Sequence, residues 1–200
     1  MPRRTPLLAA VFAVLAACDD APLAPGADPL FLATVRGSVQ EEFRGTGQFS
    51  RGLPDKVDPP EAGPGIGTYI IGAGSSFDPR SFSLHREGTD LPAPGVYPLV
   101  ARAGGPRRFI AVFTRRQGDT LEGFTSVQGE LRITVSTPLL VEGTFRFEGK
   151  RNCAGTVSGE SRPGATARLD CTHPIDPALP AVEVTGSFVA TPGPTSHPMF

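Results

Sequence analysis

The sequence predicts an all-β protein: a single antiparallel β-sandwich or partly closed β-barrel of about eight to ten strands. Three observations carry that expectation. Short runs of alternating apolar and polar residues recur between clusters of Gly, Pro and Asp, the period of a half-buried strand. No stretch repeats apolar residues at the three-and-four spacing of an amphipathic helix. The 24 Gly and 22 Pro among 200 residues supply turns in plenty. That share lies just under the roughly 25–30% at which disorder becomes the leading expectation.

The strands follow from the alternation, taken along the chain. Phe31, Ala33, Val35 and Val39 share one face of the first. Phe43 to Phe49, Ile66 to Ile71, Ser81 to His85 and Ala165 to Cys171 are weaker segments of similar length. Phe109 to Phe113 is apolar on both faces, as expected of a strand covered on both sides. The clearest stretch is Gly129 to Lys150. Leu131, Ile133 and Val135 alternate there with Glu130, Arg132 and Thr134, and Ser136-Thr137-Pro138 makes a turn. Beyond it Leu139, Val141, Phe145 and Phe147 share a face opposite Glu142, Thr144, Arg146 and Glu148, which completes a hairpin. Near the end Val182, Val184 and Phe188 alternate with Glu183, Thr185 and Ser187. Residues 52–65 and 88–95 are expected to be surface loops. Gly47-Gln48-Phe49, Gly143-Thr144-Phe145 and Gly186-Ser187-Phe188 each place Gly two residues before Phe on one face. Such a glycine leaves room for a bulky neighbour or allows a bulge.

The start of the chain reads as a sorting signal, which is not expected to belong to the fold. Arg3 and Arg4 precede an apolar run from Leu7 to Ala17, too short for the roughly 20 residues that a spanning helix needs. It ends in Leu15-Ala16-Ala17-Cys18, which resembles the lipobox of bacterial lipoproteins. The resemblance implies cleavage before Cys18 and a diacylglyceryl group on its thiol. Asp19 beside it resembles the inner-membrane retention signal of enteric bacteria, a rule that differs between lineages, so inner and outer membrane both stay open. The implied organisation is a signal peptide (1–17), a lipidated cysteine with a flexible tether (18–29), an all-β domain (30–190) and a frayed tail (191–200). The expected location is the bacterial cell envelope, outside the cytoplasm.

Removal of residues 1–17 takes Arg3 and Arg4 from the 19 Lys+Arg and leaves 20 Asp+Glu untouched, a formal charge of −3. That balance argues against nucleic acid as a partner, because phosphate binding needs a clustered basic face. Once Cys18 carries lipid, Cys153 and Cys171 remain, and two cysteines in an oxidising compartment favour a disulfide. A metal site using Cys153, Cys171 and His173 is the alternative, but no C-x-x-C pair or second histidine supports it.

Gly123 to Lys150, followed by Val182 to Thr191, resembles a family of envelope lipoproteins known only as a domain of unknown function. Gly67-Thr68-Tyr69 and Gly95-Val96-Tyr97 also fit its Gly-x-Tyr strands. The resemblance implies an all-β body and assigns no catalytic residue, and the cysteine pair is not part of its pattern.

Chemistry is sparse. His85 extends the polar face of Ser81 and Ser83 and reads as a solvated strand residue, while His197 lies in the tail. His173 with Asp170 or Asp176 is the best corner for a hydrolase, since a carboxylate can orient an imidazole. Asp78, Asp90 and Asp119 lie in turn contexts, where aspartate commonly caps the backbone. Arg107, Arg108, Arg115 and Arg116 bracket the apolar strand, either as an anion-binding patch or as charged strand ends facing water. Gly63 to Gly67 lacks the lysine–serine ending of a phosphate loop. No cofactor motif is present. The leading expectation is therefore a non-enzymatic lipoprotein that binds an envelope protein or glycan. The alternatives are a carrier of a small apolar ligand, with a cavity lined by Phe109, Phe113, Phe145 and Phe147, and a hydrolase.

Overall fold

The computed structural model describes residues 28–52, 68–74, 79–102, 104–158 and 166–193. Residues 1–27, with Cys18, the expected signal and most of the expected tether, lie outside them, as do Gly63 to Gly67, Asp78 and His197. The described residues form eleven strands and no helix: β1 (Leu30–Gly37), β2 (Glu41–Gly45), β3 (Gln48–Gly52), β4 (Thr68–Ala73), β5 (Arg80–Glu87), β6 (Gly95–Val100), β7 (Ile110–Gln117), β8 (Thr120–Ser136), β9 (Val141–Ser158), β10 (Thr166–Cys171) and β11 (Ala181–Pro192). The all-β expectation holds.

Seven strands make a closed circuit of hydrogen-bonded neighbours, β3–β4–β5–β7–β8–β9–β11 and back to β3. Every pairing in it is antiparallel except β11–β3, which is parallel and only two residue pairs long, Thr191 with Gln48 and Pro192 with Phe49. The circuit is thus joined by its weakest link. β1 and β2 hang from β11, β6 from β8, and β10 from β9. The end of the β11 ladder includes Thr191 and Pro192, two residues that the sequence assigned to the tail.

One strand expected from Phe43 to Phe49 is two. Along Glu41–Gly45 the chain pairs with β1, and after two intervening residues it pairs with β11 instead. At the crossing, a Cβ on Gly47 would press on the carbonyl oxygens of Val189 and Leu30. Only glycine lets the backbone pass so close. Unbroken alternation on either side of the switch hides it from the sequence.

The predicted hairpin is present and longer than expected, running through all of β8 and β9. β8 serves two neighbours on one edge, β7 along its first six residues and β6 further on. Register shifts at Gly123/Thr125 and Ser126/Gln128 mark the change of partner, since bulges let a strand bend out of one ladder and into another. Buried Ser126 ties the junction together: its Oγ accepts from the Ala111 N–H at 3.0 Å and donates to the Val100 carbonyl at 2.8 Å.

The inward faces meet in a core rich in phenylalanine. Phe31 lies 5.6 Å from Phe82 and 5.2 Å from Phe145, ring centre to ring centre, and Phe82 stacks on Phe113 at 4.7 Å. Burying each such side chain stabilises the fold by about 1.5–3 kcal/mol. The Phe109–Phe113 segment is buried as expected except for half-buried Ile110.

Cys153 and Cys171 face each other across β9 and β10 and form a disulfide, with Cα atoms 4.0 Å apart. The metal alternative gives way to this bond. β10 has β9 as its ladder partner, so the disulfide is what staples an edge hairpin shut. Closing a loop of this length contributes about 3 kcal/mol by restricting the unfolded chain. The Cys153→Ala/Cys171→Ala protein is therefore expected to lose about that much stability in urea titration, with β10 amides the first to gain hydrogen exchange. An unchanged midpoint would show that the bond staples nothing.

Candidate functional site

The most connected polar feature is a row of alternating charges gathered from five strands. Arg80 of β5 lies 3.6 Å from Glu41 of β2, and Glu41 lies 3.6 Å from Arg115 of β7. Arg115 in turn donates from Nε to Glu122 of β8 at 2.7 Å, and Arg151 of β9 donates to the other oxygen of Glu122 at 2.9 Å. Burial alone would raise the Glu122 carboxyl, but the hydrogen bonds from Arg115 and Arg151 hold it below the usual range. Arg80 also donates to the Glu42 carbonyl at 3.0 Å, so the row clasps edge strand β2 against β5 and β7. An edge engaged by charged side chains resists pairing with another chain. Beside it lies an open recess of about 550 Å³ lined by Phe43, Arg44, Thr46, Gln48, Pro79 and Arg80.

A second polar feature closes the opposite end of β5. Arg86 is buried, on the inward face with Phe82 and Leu84. Its guanidinium donates to the Pro106 carbonyl at 2.6 Å and to that of Asp90, and stacks over Tyr69 and Phe109 at 5.7 and 5.8 Å. It thereby pins two surface loops over the core. Burial pushes the Tyr69 hydroxyl above its ordinary value, so the phenol stays neutral in use.

Of the residues singled out from sequence, Cys153 and Cys171 meet in the disulfide, while Arg107, Arg108, Arg115 and Arg116 form no single patch. Exposed His173 follows β10, and the Asp176 carboxylate accepts from the Ala178 N–H at 2.8 Å, closing a turn of its own. Arg107 and Arg108 are exposed in the loop before β7, whereas Arg115 joins the charge row and Arg116 donates to the Gly118 carbonyl at 2.6 Å and faces Asp119 at 3.5 Å. The four arginines therefore divide between the two ends of β7. The phenylalanines proposed to line a cavity are packed against other rings: Phe113 against Phe124, Phe145 against Phe147, Phe109 against Tyr97. Among the described residues, no group of three or more His, Cys, Asp or Glu is placed to hold a metal ion.

Two side chains depart from their expected solvation. Glu142, expected on the wet face of β9, is 7% exposed beside the Ile133/Val135 bulge, and burial raises its carboxyl. His85 does share the outer face with Ser81 and Ser83, but it is half-buried and burial pushes its imidazole down to about 4. The unfolded chain takes up that proton near pH 6.5 and the folded one near pH 4. Between those values the unfolded state binds more protons, so stability falls as the pH drops. His85→Gln is expected to flatten the fall in melting temperature between pH 7 and pH 4.5. Parallel curves for the two proteins would exclude this residue as the cause.

No known protein family, curated protein or solved structure matches the chain. The resemblance noted for Gly123 to Lys150 therefore rests on its residues alone.

Proposed function

We propose that the chain is an extracytoplasmic lipoprotein, anchored through lipid on Cys18, whose β domain binds an envelope protein or glycan and turns over no substrate. What carries the reading is Leu15-Ala16-Ala17-Cys18 behind a basic start and a short apolar run. Two acyl chains on one cysteine suffice for stable anchoring, at about 0.8 kcal/mol per buried methylene. The body then needs no spanning segment, and no helix of the described residues is long and apolar enough to be one.

Intact mass measurement of the envelope protein tests the anchor. The expected product begins at Cys18 and carries a diacylglyceryl group, and metabolic labelling with palmitate is lost in Cys18→Ser. A mature protein that begins elsewhere and partitions into water would end the reading.

A further inference from the structure

The outer surface near the start of β1 gathers apolar side chains that are half-buried or exposed. Leu30 and Leu32 point outward from β1, with Leu32 37% exposed. Leu30 pairs with Val189 on β11, and Val189 pairs with Glu142 on β9. Three residues before Glu142, the turn joining β8 to β9 carries Leu139, which is 76% exposed, next to half-buried Leu140. Leu139 is the most exposed large apolar side chain among the described residues. The turn itself is built, not loose: the Thr137 hydroxyl accepts from the Leu140 N–H at 3.0 Å, and the Thr137 N–H donates to the Leu140 carbonyl at 2.8 Å. Leu139 is thus held outward by the hydrogen bonds of the turn.

We infer that this face, Leu30, Leu32, Val189 and the Leu139–Leu140 turn, rests on the bilayer that holds the Cys18 lipid. The inference builds on the lipoprotein reading. Nine residues lie between Cys18 and Asp28, and their ten Cα–Cα steps span at most about 35 Å. It joins the body at Leu30, inside the apolar patch, so the patch is the part of the domain that the anchor draws nearest to lipid. Exposed Arg44 sits opposite Leu32 across β1 and β2, where a cation favours an anionic headgroup surface. Leucines at such a depth add apolar contact to the anchor and fix how the domain stands on the membrane. The rest of the surface, including the outer face of β8, β9 and β11 away from Val189 and the Leu139–Leu140 turn, is then turned toward partners.

The chain contains no Trp, so one introduced at a chosen position reports on that position alone. The lipidated full-length protein carrying Leu139→Trp is placed in phosphatidylethanolamine–phosphatidylglycerol vesicles, with and without acyl-brominated phosphatidylcholine. Asp119→Trp, in the turn at the other end of β8, is the comparison. The expected result is a blue-shifted Leu139→Trp emission that brominated lipid quenches roughly twofold, against little quenching for Asp119→Trp, because bromine on the acyl chain reaches only side chains at the headgroup–acyl boundary. Equal quenching at both sites, or none at either while the protein still floats with the vesicles, overturns the inference and leaves the anchor standing. Protein that fails to float overturns the anchor itself.

Discussion

Gly186→Val is expected to destabilise the domain by about 3 kcal/mol or more, the upper range for forcing extra atoms into a packed interior. Gly186 on β11 lies directly opposite Phe145 on β9, and Gly143 on β9 lies directly opposite Phe188 on β11. A Cβ at Gly186 would sit 2.8 Å from Phe145 Cε1 and closer still to its Cζ and to the Leu32 carbonyl oxygen. A Cβ at Gly143 would sit 2.8 Å from Phe188 Cζ and press on the Arg132 carbonyl. Each ring thus lies over the other strand's glycine, a reciprocal arrangement in which the aromatic covers backbone that glycine leaves bare. Urea titration reads the loss. Adding Phe145→Leu to Gly186→Ala relieves the ring but not the carbonyl, so the pair is expected to recover about 1 kcal/mol over the sum of the two single changes. Gly104→Ala is the control: a Cβ there meets nothing within 4 Å, and the change should stay within about 0.5 kcal/mol. If Gly186→Val melts like Gly104→Ala, the reciprocal packing is not what those glycines are for.

That pair also shows what the sequence does and does not disclose. The Gly-x-Phe theme is visible in one dimension, because glycine and ring fall on the same face two residues apart. Its meaning is not, since only the β9–β11 register puts Gly143 opposite Phe188. Alternation made most strands legible for a simple reason: a strand with one buried face writes its period directly into the chain. The same period misled at Glu142, where a bulge beside the residue changes its surroundings. Arg86 carried a signal that parity alone provides, a charge in phase with Phe82 and Leu84 on the face expected to be buried. The row from Arg80 through Glu41, Arg115 and Glu122 to Arg151 carried none, because its members come from five strands and meet only when β2 folds across β5 and β7. Cys18 stands apart from all of these. The sorting signal proposed for it would be recognised from sequence, so its residues are legible without any fold.

Phe31→Ala is expected to cost about 3–5 kcal/mol, the range for deleting a fully buried aromatic ring. Its ring is 0% exposed and meets four others, Phe43 at 6.0 Å, Phe82 at 5.6 Å, Phe145 at 5.2 Å and Phe188 at 6.1 Å. Those partners belong to β2, β5, β9 and β11, so one side chain from the first strand holds both sides of the circuit together. At roughly 2–4 °C per kcal/mol for a domain of this size, the melting temperature should fall by about 6–20 °C. Phe31→Leu should fall much less, since most of the volume is kept. The same variant decides whether the wild-type interior has room for a ligand. A hole left by the ring is apolar and would stay dry, and such holes take up benzene. Benzene is therefore expected to restore part of the lost melting temperature in Phe31→Ala and to leave wild type unmoved, because the wild-type rings already occupy the space. Stabilisation of the wild-type protein by benzene would point instead to an open interior and revive the apolar-ligand carrier.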